Sequence, residues 1–93
     1  MNLTITIKEV GPDRGEERIV EVRHVTTESH KRLTAGSATR ILRQEIPDLP
    51  ALVTASKSTE AKGVFFAMHY ATASARCAFH YTWRHYYLSE DSN

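Results

Sequence analysis

Residues 63–88 alternate in a way that few folds can accommodate. Val64, Phe66, Met68 and Tyr70 recur at every second position, and so do Cys77, Phe79, Tyr81 and Trp83. A period of two is strand geometry, because successive side chains of an extended chain point to opposite faces. A two-residue turn at Ala73-Ser74 would set Tyr70 opposite Cys77, Met68 opposite Phe79, Phe66 opposite Tyr81 and Val64 opposite Trp83. Every apolar position then meets an apolar partner, and a one-residue slip destroys the match. Ala-Ser is a poor sequence for a tight hairpin turn, so a longer loop with the same face assignment stays open. The pattern predicts an aromatic β-hairpin with this face turned to the core. The reverse face, turned to solvent, carries Phe65, Ala67, His69, Arg76, His80, Arg84 and Tyr86.

The rest of the chain supplies partners for that hairpin. Leu3, Ile5 and Ile7 alternate with Thr4, Thr6 and Lys8, the spacing of a half-buried strand. Gly11-Pro12-Asp13-Arg14-Gly15 breaks the chain into a turn, and Arg18 to Val25 resumes strand character. Thr26-Thr27 offers a helix N-cap with Glu28 behind it, and helical spacing runs from there to about Glu45. Leu33, Ser37, Ala38, Ile41 and Leu42 share one side of this helix, and Arg32, Arg40 and Arg43 share the other. Gly36-Ser37 leaves a kink or a break open, and Pro47 and Pro50 end the helix. Ala51 to Ser56 is a short strand candidate, followed by a polar loop at 57–60. The order is ββαβββ. It predicts an α+β domain over residues 1–88, a single antiparallel sheet of four to five strands with one helix packed on one face. The acidic tail 89–93 has nothing to bury and is expected to be disordered.

Charge is distributed unevenly beneath a formal total of +1. Residues 1–30 are net acidic, residues 31–46 hold four Lys/Arg against one Glu, and from Lys62 to Leu88 there are three basic residues and no acid. One cysteine, Cys77, excludes an internal disulfide and a cysteine-based zinc cluster, and it suits a reducing cytoplasm. No run approaches the roughly 18 apolar residues of a membrane span, and the first residues lack the pattern of a signal peptide.

Catalytic and metal chemistry find little to work with. His69 and His80 would be diagonal neighbours about 7–8 Å apart on the hairpin's exposed face, with no third ligand in view for a zinc ion. His24, His30 and His85 belong to no cluster, and His85 falls on the hairpin's apolar side, where a partly buried, satisfied histidine is the ordinary case. Cys77 points to the core in the expected register, where a small buried hydrophobe is the ordinary reading. No H-x-x-x-H, G-x-S-x-G or phosphate-cradling glycine loop occurs. An enzyme is not expected, nor a metal or cofactor.

Binding remains. Arg32, Arg40 and Arg43 form a basic helix face, although charged outer faces are what surface helices ordinarily have. Arg76, His80, Arg84 and Tyr86 would interleave cations with an aromatic on an open sheet face, which suits phosphate contacts and base stacking. The same residue types suit a protein partner.

The strand Ile5-Thr6-Ile7-Lys8-Glu9-Val10, the acidic turn after it and the stretch Val20 to Leu33 resemble type I-F anti-CRISPR proteins, small phage proteins with a hairpin–helix–sheet fold. The likeness covers about a third of the chain, and its only exact motif is Ile7-Lys8-Glu9-Val10. It implies a non-enzymatic inhibitor that occupies the backbone subunits of a CRISPR surveillance complex and blocks target DNA through basic residues. Arg32, Arg40 and Arg43 are the candidates by position on the helix, not by motif. The leading expectation is therefore a small cytoplasmic binding protein, of phage or mobile-element type, that blocks a nucleic-acid-handling complex of the host. Two other readings stand beside it: a direct single-stranded nucleic-acid binder using the sheet face, and a homo-oligomeric structural protein, a homodimer for instance, whose exposed strand pairs across a two-fold axis.

Overall fold

Leu3, Ile5 and Ile7 alternate as predicted, and all three are buried on one side of the first strand. The structure is a computed structural model that describes residues 1–10, 17–28, 32–72 and 81–91. Among them lie β1 (Asn2–Val10), β2 (Glu17–Thr26), α1 (Ala35–Glu45), β3 (Ser56–Lys57), β4 (Val64–Thr72) and β5 (Tyr81–Glu90). The strands form one antiparallel sheet in the order β2-β1-β5-β4-β3. The fold is thus the expected α+β class, one sheet with one helix among the described residues. The chain leaves the sheet at the β2 edge, crosses one face as α1, and re-enters at the opposite edge through β3. No helix among the described residues is long and apolar enough to cross a membrane.

The helix begins later than the spacing predicts. Thr26 ends β2, and the Thr27 N–H and C=O are both bonded to Met1, so their backbone belongs to the sheet. The effective cap is Thr34. Its hydroxyl accepts from the Ser37 N–H at 3.1 Å, and the Ser37 hydroxyl accepts from the Thr34 N–H at 2.9 Å. Two short hydroxyl side chains thereby satisfy two helix-end donors reciprocally. Gly36 falls in the first turn and not mid-helix, which is why α1 runs unbroken to Glu45. Its buried residues, Ser37, Ala38, Ile41 and Leu42, are those the periodicity predicts. Leu33 packs partly buried against the same core from outside the helix.

The strand expected at 51–56 shrinks to Ser56–Lys57. Arg43 donates to the carbonyls of Ala51 and Val53, and the Ala55 N–H donates to the Thr39 hydroxyl at 2.9 Å. Helix side chains therefore take the backbone groups that a neighbouring strand would have needed.

The hairpin departs furthest from expectation. Tyr70 faces Trp83, Met68 faces His85, Phe66 faces Tyr87 and Val64 faces Ser89. Relative to the expected register the partner strand has slid by six residues, and the predicted turn at Ala73-Ser74, with Cys77 and Phe79, lies outside the described residues. An even slip leaves the sorting of 64–70 and 83–88 into two faces intact. What reverses is which face is buried. Phe65, Ala67, Tyr86 and Leu88 point into the core, while Met68, Tyr70 and Trp83 are exposed. The cause is β1. Its aliphatic side sets Ile5 beside Leu88 and Ile7 beside Tyr86, so β5 must turn those residues inward. The slide also carries β5 to Glu90, and the Asp91 N–H donates to the Asn2 carbonyl at 2.8 Å. Ser89 to Asp91 is consequently ordered by β1 and is not the free tail expected, while residues 92–93 lie outside the described residues.

This reversal sets stability at each position. Tyr86→Ala is expected to cost about 3–5 kcal/mol and Leu88→Ala about 2–5 kcal/mol, the range for emptied core sites. Trp83→Ala, on the exposed face, is expected to cost about 1 kcal/mol or less. Denaturant unfolding of the three variants reads these values directly, and a Trp83→Ala loss matching Tyr86→Ala would contradict the face assignment.

Candidate functional site: an open aromatic sheet face and a basic cleft

On the side of the sheet away from α1, no second helix or sheet among the described residues covers β4, β5 and β1. Residues 56–60 and Glu17 flank Phe66, His85 and Tyr87, and Met68, Tyr70 and Trp83 stay open. The register places Phe66, Met68 and Tyr70 of β4 beside Tyr87, His85 and Trp83 of β5. Thr6, Lys8 and Val10 of β1 lie beyond them. Tyr70 and Trp83 meet edge to face at 5.0 Å between ring centroids. Phe66 lies 5.1 Å from Tyr87 and 5.3 Å from His85. Such pairs favour offset and T-shaped arrangements, so the rings hold one another in place without a covering layer. Met68, Tyr70 and Trp83 are 49%, 54% and 41% exposed. That is a high value for large side chains lying side by side.

The charges on this face are mutually engaged. Glu17 receives Lys8 Nζ at 3.4 Å, His85 Nδ1 at 3.2 Å and the Tyr87 hydroxyl at 3.4 Å, and Lys8 also lies 5.0 Å above the Tyr87 ring. Partial burial alone would raise the Glu17 carboxyl. The hydrogen bonds from His85 and Lys8 and the charges behind them outweigh it and hold the group below the usual carboxylate range. Burial, and then the nearby Glu17 charge, push the Tyr87 hydroxyl up.

The residues predicted as a site do not assemble into one. Tyr86 is 1% exposed and belongs to the core, where burial first of all raises its hydroxyl. Arg84 lies on the helix side of the sheet and donates to Glu9 at 3.1 Å and 3.3 Å. Arg76 and His80 lie outside the described residues. Arg40 and Arg43 are both exposed on α1, but Arg43 braces the loop at Ala51 and Val53. Arg32 precedes the helix and opens onto a cleft of about 1160 Å³. Lys57 and Lys62 share that cleft with it, as do Glu90 and Asp91. Sequence reasoning missed Lys57 and Lys62 because they sit in what reads as ordinary polar loop. It missed the exposure of Met68, Tyr70 and Trp83 because hydrophobicity within a strand does not say which face is covered. The continued alternation Tyr86, Leu88 beyond Trp83 was the available signal.

Among the described residues, no group of three or more His, Cys, Asp or Glu side chains could hold a metal ion. His69, expected on the exposed face, is half-buried on the helix side, stacked on Tyr86 with ring centroids 5.5 Å apart and planes 12° from parallel. Its buried Nδ1 has no hydrogen-bond partner. No family model, no curated protein and no solved structure matches the chain.

Desolvation first, and then the Arg84 charge, lower the proton affinity of His69. The folded state therefore holds the ring neutral, while the unfolded chain protonates near pH 6.5. The stability His69 contributes is complete above that pH and falls away as pH drops towards its lower folded pKa. His69→Phe keeps the stack and removes the titration, so the loss of thermal stability between about pH 7 and pH 5 should be shallower in the variant. Identical slopes for variant and wild type would show that the ring is not held neutral.

Proposed function

We propose that the protein is a small non-catalytic binding module that grips a protein partner through the open face formed by β4 and β5. The observation that carries this reading is the exposed group Met68, Tyr70 and Trp83, with Tyr70 and Trp83 edge to face, on a sheet whose neighbouring charges are already paired. Aromatic and methionine side chains on an ordered scaffold are the residues enriched at the centres of protein interfaces, and charged residues are depleted there. Phosphate-rich ligands call for free cations close to the stacking rings. Lys8, the lysine or arginine on this face among the described residues, is instead engaged with Glu17 and Tyr87.

The further expectation, that the partner is a nucleic-acid-handling complex of the host, rests on the N-terminal resemblance to anti-CRISPR inhibitors. It also draws on the basic residues Arg32, Arg40, Lys57 and Lys62, and not on the aromatic face. The lone cysteine supports the cytoplasm as the place of action.

The test begins with proteins retained from a lysate of the source cell by the wild type but not by the Tyr70→Ala/Trp83→Ala variant. Each is then purified and titrated against the wild type and single variants. Trp83→Ala is expected to weaken that complex by about 10-fold to 100-fold, as at an interface hot spot, with circular dichroism confirming the fold. Arg40→Ala is expected to change it little. Titration with single-stranded oligonucleotides at low salt is expected to leave Trp83 fluorescence unchanged. Salt-sensitive quenching by the oligonucleotide would replace the protein partner with nucleic acid. Retention of no protein that depends on Tyr70 and Trp83 would sink the reading.

A further inference from the structure

β2 ends the sheet, and its outer backbone groups are unpaired among the described residues. Long edge strands of natural proteins are blunted by proline, charged side chains, bulges, shortness or a covering segment, because a bare edge is a template for another strand. Among such devices β2 has one bulge and the charges Glu21 and Arg23. β2 is ten residues long, and residues 19–26 contain neither proline nor lysine. The stretch is rich in β-branched residues, and Ile19, Val20 and Val22 are 58%, 38% and 48% exposed. The register shift opposite Ile7 and Lys8 leaves Val20 as the extra residue of β2, and pairing with β1 is regular from Glu21 to Thr26.

The charges along this edge select a partner. Glu21 and Arg23 stand on the helix side of the sheet, two residues apart and bonded to each other, Arg23 also donating to the Glu45 carbonyl, with side chains 42% and 35% exposed. When the strand lies antiparallel to a copy of itself, the possible two-fold axes differ in which charges they bring opposite each other. An axis at Glu21 sets Glu21 against its own copy, and an axis at Arg23 does the same to Arg23. An axis at His24 leaves both charges opposite uncharged residues. With the axis at Val22, Glu21 of each copy faces Arg23 of the other, giving two opposite-charge pairs on the helix side of the sheet and a Val22 pair on the reverse side. Opposite charges directly across a strand pair stabilise it and like charges oppose it.

We propose that the free edge of β2 pairs with the same edge of a second copy, antiparallel, about a two-fold axis at Val22. The five-stranded sheet continues across the axis into that of the partner, and the exposed Val22 becomes covered by itself. Such an interface is isologous and closes at two copies, so the edge is consumed without leaving one free for a filament. The aromatic face of each copy stays open, and the dimer carries two of them.

Sedimentation velocity at about 100 µM protein should report twice the chain mass, falling towards the monomer on dilution. Val22→Lys places two ammonium groups on the axis, and Val22→Glu places two carboxylates there. Each variant alone should sediment as a folded monomer, and an equimolar mixture of the two should recover the dimer mass. Tyr70→Ala/Trp83→Ala should remain dimeric, which separates this inference from the partner reading. Backbone amide exchange over 20–24 in the wild type should slow as concentration rises, a readout that needs no variant. A wild type that is monomeric throughout overturns the proposal, as does a dimer indifferent to Val22→Lys. Failure of the mixture to recover the dimer overturns the axis position, and amide exchange independent of concentration overturns the edge.

Discussion

Everything in this fold hangs on β1 having two neighbours. Leu3 and Ile5 are wholly buried and Ile7 nearly so, because β2 and β5 flank the strand and Ala38, Ile41 and Leu42 of α1 join them in one core. β1 also holds both ends of the chain. The first backbone groups bond Thr27, and the Asn2 carbonyl receives Asp91. Once this aliphatic stripe faces the helix, β5 has no freedom left. Ile5 and Ile7 require Leu88 and Tyr86 beside them on the same side, and Ala67 and Phe65 follow on β4. The exposure of the aromatic group is therefore a consequence of how β1 is buried. Tyr86 and Phe65 fill the inner layer together with the aliphatic residues, and the alternation then leaves Tyr70 and Trp83 on the other side.

Arginine acts in this chain mainly as a brace. Arg23 reaches the Glu45 carbonyl at the end of α1 while paired with Glu21. Arg43 holds the loop after the helix, and Arg84 ties β5 to Glu9 on β1. A planar guanidinium with several donors suits carbonyls at helix and loop ends, where backbone acceptors lack partners. Burial and distance decide what such side chains can do for a partner. Exposed pairs of this kind contribute little stability individually, but each one already has a geometry to maintain. The cations on the described surface with more freedom, Arg32, Lys57 and Lys62, come together at the cleft by the helix N-terminus, where Glu90 and Asp91 temper their charge.

How much of this was legible differs by element, for physical reasons. The aliphatic alternation of β1 and the buried side of α1 read correctly because each has a period and few competing partners. The helix start was misplaced because Thr26 and Thr27 carry the right side chains for a cap but a backbone already taken by β1. That competition is invisible in local sequence. In the hairpin, parity survived and register did not. Pairing Tyr70 with Cys77 and pairing Tyr70 with Trp83 satisfy the same alternation, since an even slip exchanges one aromatic set for another. Local pattern also cannot say which face of an amphipathic strand is covered, for both faces of β4 and β5 are apolar. Tyr86 was consequently read as a surface residue when it is among the most buried.

The same ambiguity explains why two uncovered features coexist in so small a domain. A single helix can cover one face of a five-stranded sheet and no more, so among the described residues the far face has no second layer of helix or sheet. Edge strands follow from the same economy of elements, because a sheet that does not close must end somewhere. At the β4 side the two-residue β3 and its loop shield part of the edge. At the β2 side no described residue does, and there the exposed side chains are β-branched and the charges self-complementary about Val22. Face and edge thus present different chemistry: neutral and aromatic on the face, extended with charges alternating on the edge. A contact made at one leaves the other available, because the edge of β2 and the outer side of β4 and β5 are separated by β1.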